Sequence, residues 1–226
     1  PGSCSMNVFL AVLWKDLLSE WRSRDRVVSM LIFSLLVVVI FHFALPPASP
    51  EQGRELAPGL LWLATVFASL LGLNRAFALE LENDALAGLA LAPADRGWIF
   101  LGKALANGVL IFGVQLVTAA AFELAFDVPL LEHAAPLAAV LVLGAVGLAG
   151  AGTLFGAVAV RTRFRELVLP LLLLPLLVPV LISAVRATAG LLETGALPAA
   201  PLRLLLVADA VFWIASYVLF EFVLDE

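Results

Sequence analysis

The sequence predicts an all-α membrane protein with six transmembrane helices, and three observations carry that prediction. First, six long apolar runs fill a chain of 226 residues: Val27–Leu45, Leu56–Leu73, Ala104–Phe122, Ala134–Val160, Leu167–Val185 and Leu204–Phe220. Crossing the hydrocarbon core takes about 20 apolar residues in a helix, so each run is long enough, or nearly so. Second, 63% of the residues are hydrophobic and the mean hydropathy is +1.08, which excludes an ordinary soluble domain. Third, the lysines and arginines fall on alternating connections, as the positive-inside tendency demands.

The charge split fixes an expected orientation. With the amino terminus cytoplasmic, Lys15, Arg22, Arg24, Arg26, Arg75, Arg96, Lys103, Arg161, Arg163 and Arg165 all lie inside, ten of the thirteen basic residues. Only Arg54, Arg186 and Arg203 remain for the outside, so both termini are expected in the cytoplasm. Pro1–Ser5 reads as a cloning remnant before a start at Met6, and residues 6–226 as one permease-like membrane domain. The run Val27–Leu45 is longer than a signal peptide's apolar core of about 7–15 residues and is read as a true first span.

Before that span, Leu10, Leu13, Trp14, Leu17, Leu18 and Trp21 recur at helical spacing, with Lys15, Asp16, Ser19, Glu20 and Arg22 opposite. That pattern predicts an amphipathic helix over 8–24, suited to the headgroup boundary or to a partner protein. The spans are expected at about 27–45, 56–78, 98–124, 134–160, 167–186 and 203–223. Between spans two and three, Glu80, Glu82 and Asp84 precede Ala85–Ala92, and Pro93 follows. Acidic residues favour the positive end of a helix dipole and proline stops a helix, so a short cytoplasmic helix is expected there. A solvated turn is the competing reading.

Span four carries Gly144, Gly147, Gly150, Gly152 and Gly156, small residues that permit close helix contact within the chain or between subunits. Span five carries Pro170, Pro175 and Pro179, each of which removes a helix hydrogen bond and forces a bend or break. Arg186–Arg203 is expected to be a long external connection, dipping back as short helices.

The residues exclude several functions. The sequence contains no phosphate-binding GxxxxGK[ST] motif, a net charge of −5 without a basic run argues against nucleic acid, and Cys4 alone cannot form an internal disulfide. No catalytic constellation is expected, and neither a cofactor nor a metal site. His42 and His133 fall at external span ends, where interfacial placement competes with weak haem ligation. Asp209 is the sharpest intramembrane polar residue, because a carboxylate at membrane depth faces a bundle interior or a cavity. A functional role and a structural hydrogen bond both stay open for it. Gln115 and Asn107 on span three are expected to bond between helices, and Glu123 to sit at the interface.

The order of features, an amphipathic helix, then a cytoplasmic helix between spans two and three, then an excursion between spans five and six, resembles the membrane subunit of type-2 ABC exporters. The segments "RELAPGLLWLATVFASLLGLNRAF" at 54–77, "LELENDALAGLALAP" at 79–93 and "LGKALA" at 101–106 narrow this. They resemble the cytochrome c maturation protein B family, also called haem exporter protein B, as does "LVLPLLLLPLLVPVLISA" at 167–184. Asn74, Asp84, Ala85 and Gly88 depart from the family pattern. The resemblance implies a permease paired with a separate cytoplasmic ABC ATPase, cytochrome c maturation protein A. It further implies a second copy of the chain, haem-handling membrane subunits and an inner-membrane location. Such an ATPase can act only through a cytoplasmic surface; the connection 161–166 and the tail after Leu224 are short and the leading amphipathic helix is expected against lipid, so Glu80, Glu82, Asp84, Leu86 and Leu89 are expected to form the coupling helix. The competing readings are the permease of another exporter, for a lipid, glycan or drug, and an intramembrane enzyme or passive scaffold.

Overall fold

The computed structural model describes residues 2–45, 50–82, 96–160, 162 and 164–225. Seven α-helices run through them: α1 Gly2–Ser23, α2 Asp25–Ala44, α3 Pro50–Glu82, α4 Arg96–Phe126, α5 Ala134–Val160, α6 Arg165–Thr194 and α7 Ala199–Asp225. A 3-10 turn, Leu131–His133, joins α4 to α5. The last six helices are each long and apolar enough to cross a membrane, and the chain is a multi-pass membrane protein.

The six spans alternate in direction. At one end Phe77 of α3 meets Gly156 of α5, Tyr217 of α7 packs on Gly97 of α4, and Arg75 pairs with Asp25 of α2 at 3.2 Å. At the other end Gly53 of α3 faces the Phe126 carbonyl, and the His42 ring lies 6.0 Å from Phe126. We call these the α1 end and the far end. Lys15, Arg22, Arg24, Arg26, Arg75, Arg96 and Lys103 all fall at the α1 end, while Arg186 and Arg203 fall at the far end.

Helix α5 sits at the centre and touches α3, α4, α6 and α7. Its glycines serve packing within the chain. Gly144 receives the Trp62 ring, Gly147 the Asp209 carboxylate, Gly150 the Trp213 ring, Gly152 the Leu73 side chain and Gly156 the Phe77 ring. Large side chains of the neighbouring helices therefore fill notches along one small-residue helix, which brings backbones close enough for dispersion to hold them.

Two bounds differ from expectation. Span two stays helical through Glu82, so Glu80 and Glu82 belong to the end of α3 rather than opening a new helix. The connection expected over Arg186–Arg203 shrinks to Gly195–Pro198, because α6 runs unbroken to Thr194 despite its three internal prolines. Ala187 and Leu191 are fully buried there, and the Trp62 indole donates to the Thr188 hydroxyl at 3.0 Å, so tertiary packing holds the extra turns. Gly195, at φ 70°, supplies the left-handed residue that ends the helix, a conformation side chains other than glycine rarely adopt.

Candidate functional site

Polar side chains inside an apolar bundle mark the places where function can reside, and two sets stand out. The first clamps α1. Arg24, at φ 55°, is the single left-handed residue between α1 and α2, so the chain turns within one step. Glu20 then reaches across the bend: one carboxylate oxygen accepts from the Val27 backbone N–H at 2.9 Å and the other from the Arg26 guanidinium at 2.9 Å. Arg26 also donates to the Asn107 side-chain carbonyl on α4 at 2.9 Å, and the Asn107 amide donates to the Thr153 hydroxyl on α5 at 2.9 Å. Side-chain exposure at Glu20 and Arg26 is 8% each, so this is a buried pair in which every strong donor must be matched.

A second buried pair reinforces it. Lys103 of α4, 5% exposed, lies 3.2 Å from Asp16 of α1. Val12, Asp16 and Glu20 are spaced four residues apart, so one stripe of α1 faces α4, with Phe9 edge-on to Trp98 at 6.3 Å. Leu10, Trp14, Leu18 and Trp21 occupy the outward side. The apolar face of this amphipathic helix points away from the protein, and part of its polar face points in.

The second set lies deeper. Gln115 on α4 is 1% exposed and Asp209 on α7 is 5% exposed, and neither makes a hydrogen bond among the described residues. The hydroxyl of Thr65 on α3, 2% exposed, is also unpaired. Leaving a buried polar group unmatched costs about 1–3 kcal/mol. Asp209 rests against Gly147 of α5 and Val180 of α6. Asn107 makes the helix-to-helix bonds expected of it and Gln115 makes none among the described residues; for Asp209, where a structural hydrogen bond is one of two open readings, none is present among those residues either, and Thr65 carries no expectation from the sequence. An apolar groove of about 150 Å³ opens between α4, α5 and α7, with Gly108, Phe112, Val146 and Trp213 in its lining.

Glu80 and Glu82 end α3, while Asp84, Leu86 and Leu89 lie outside the described residues. His42 packs on Phe43 and Phe126, and His133 lies beside Gly195, both at the far end. Glu123 accepts from the Leu131 backbone N–H at 2.6 Å and so caps the 3-10 turn. Among the described residues no three of His, Cys, Asp and Glu gather as a metal site requires.

The profile of the CcmB protein family matches residues 7–224, nearly the whole chain. The chain belongs to the CcmB family. A relative called heme exporter protein B from Paracoccus denitrificans is 36% identical over 203 residues, covering 89% of each chain. The protein of the same name from Rhodobacter capsulatus is 39% identical over 176 residues, covering 76% of this chain and 78% of its own. That from Escherichia coli K12 is 29% identical over 110 residues, about half of each chain. For this CcmB-family chain the match takes in both buried sets, since Glu20, Arg26, Lys103, Asn107, Gln115 and Asp209 all fall within residues 7–224.

Proposed function

We propose that this chain is the permease subunit of an ABC-type complex for cytochrome c maturation. In this reading it couples ATP hydrolysis in a separate cytoplasmic ATPase to haem delivery or to release of a haem-loaded chaperone. The observation that carries it is the family match across residues 7–224, with relatives named heme exporter protein B. The chain lies in the bacterial inner membrane with the α1 end in the cytoplasm, where its basic residues concentrate. There α1 lies in the headgroup layer, its outward Trp14 and Trp21 in lipid.

The fold suggests how work would enter. The segment 83–95 joins the end of α3 to the start of α4. A partner gripping that segment moves Arg96 and Trp98, and the Asp16–Lys103 and Arg26–Asn107 contacts pass the displacement to α1 and α2.

The test uses a strain lacking its own copy of the gene, scored by haem-stained c-type cytochrome and by ATPase co-purification in detergent. Wild-type chain restores haem staining and brings down the ATPase. Apolar contacts contribute more than exposed ion pairs, each worth about 0–1 kcal/mol. Leu86→Asp with Leu89→Asp therefore abolishes co-purification at normal membrane levels, whereas replacing Glu82 alone weakens it slightly and in a salt-dependent way. Full binding by the double variant rules out 83–95 as the docking segment. Failure of the wild-type chain to restore staining removes the assignment to cytochrome c maturation.

A further inference from the structure

Every buried side-chain oxygen or nitrogen without a hydrogen bond among the described residues belongs to Thr65, Gln115 or Asp209. Gly53 and Phe126 lie side by side at the far end. Counting inward at about 1.5 Å per residue places Thr65 and Gln115 each about 16–18 Å below that level. Trp62 seats on Gly144, which puts Gly147, and Asp209 against it, at about the same depth. Three helices, α3, α4 and α7, thus each present an unmatched polar group at mid-depth around the central helix α5.

A polar side chain kept only to hold helices together should make the bond that does so. Asn107, Thr118, Thr188 and Trp213 each do, to Thr153, Ser34, Trp62 and the Val146 carbonyl respectively. Thr65, Gln115 and Asp209 do not, although all three are more than nine-tenths buried. The Asp209 carboxylate also occupies the space that a side chain at residue 147 would need, so only glycine there lets it pack inward. We propose that this layer is where the bundle opens: in a second arrangement of the helices Thr65, Gln115 and Asp209 hydrogen-bond to water, and the packing seen here is the closed arrangement. A hydroxyl, an amide and a carboxyl together offer the mixed donors and acceptors that water satisfies. The part of this inference that concerns turnover rests on the permease reading; the part that concerns packing does not.

The test replaces the layer with apolar residues of similar size, Thr65→Val, Gln115→Met and Asp209→Val, singly and together. Removing an unmatched polar group relieves its desolvation, so the melting temperature of the purified chain rises by about 2–4 °C for each position. Haem-stained cytochrome in the deletion strain falls at least tenfold, because the closed arrangement no longer yields to water. A fall in melting temperature overturns the proposal by showing that the groups are matched in the resting protein. A rise with undiminished cytochrome overturns it by showing that opening does not need them. Should the triple variant fail to accumulate, Thr65→Cys in a Cys4→Ser background decides. A small permeant thiol reagent labels it in the ATP-driven complex and not without ATP; absence of labelling in both states refutes the opening. Co-purification of the ATPase with the wild-type chain is scored alongside. Its loss counts against the partnership, while the melting temperatures still decide whether the layer is unmatched.

Discussion

Arg26 donates to Glu20 and Asn107 at the same time, which uses the fixed fork of the guanidinium. Arg26→Ala leaves a buried carboxylate without its charge partner and costs about 3–5 kcal/mol. In a chain of this size that lowers the melting temperature in detergent by roughly 2–4 °C per kcal/mol. Arg26→Lys keeps the charge but not the fork, and its loss is smaller. Equal melting temperatures for wild type and Arg26→Ala show that the pair does not hold the elbow. From sequence Arg26 was legible only as one more positive charge for orientation. Glu20 and Arg26 are six residues apart across a bend, a spacing that no helix face brings together, so nothing local announced the pair. Asp209 was legible because a lone carboxylate in an apolar run stands out. Thr65 was not, since a hydroxyl in an apolar helix ordinarily bonds its own backbone and passes without notice. For Asp209→Asn we expect normal membrane levels and a melting temperature at or above wild type, because an amide is less costly to bury than a carboxylate. A clear fall in melting temperature contradicts the unmatched state of that carboxyl.

At the scale of helices, Gly113 of α4 and Gly144 of α5 give opposite expectations. A Cβ at Gly113 meets nothing within 4 Å, so Gly113→Ala should stabilise α4 by about 0.5–1 kcal/mol. A Cβ at Gly144 collides with the Trp62 ring, which is itself held by Thr188, so Gly144→Ala should destabilise by about 1–3 kcal/mol. Paired melting curves check this, and a stabilising Gly144→Ala contradicts the packing of α3 on α5. The six spans were legible because hydropathy reports what lipid tolerates. Their ends were less so. Arg186–Arg203 reads as a long connection dipping back as short helices, yet a helix leaving the hydrocarbon has no reason to unwind until Gly195 and Pro198 stop it. The spacing predicts a helix before the first span, and α1 is helical over Gly2–Ser23, but the spacing does not tell which face the protein takes. Asp16 and Glu20 turn inward to meet Lys103 on α4 and Arg26 in the first turn of α2, and neither partner lies on the stripe itself.

At the scale of the molecule, an apolar exterior and a core threaded by small residues go together. Ile32, Phe43, Val207, Ile214 and Phe222 are each more than half exposed, a surface that only lipid covers without penalty. Basic residues gather at one end and the buried ion pairs fasten α1 to that same end; the proposed coupling to an ATP-consuming partner requires that end to face the cytoplasm. Single cysteines in a Cys4→Ser background, treated with an impermeant thiol reagent on intact cells, test this most directly. Glu132→Cys and Thr194→Cys, exposed at the far end, should label from outside; Ser23→Cys and Thr162→Cys, exposed at the α1 end, should label only after the membrane is opened. Labelling of Ser23→Cys and Thr162→Cys in intact cells, with Glu132→Cys and Thr194→Cys protected, would contradict the orientation and the coupling built on it.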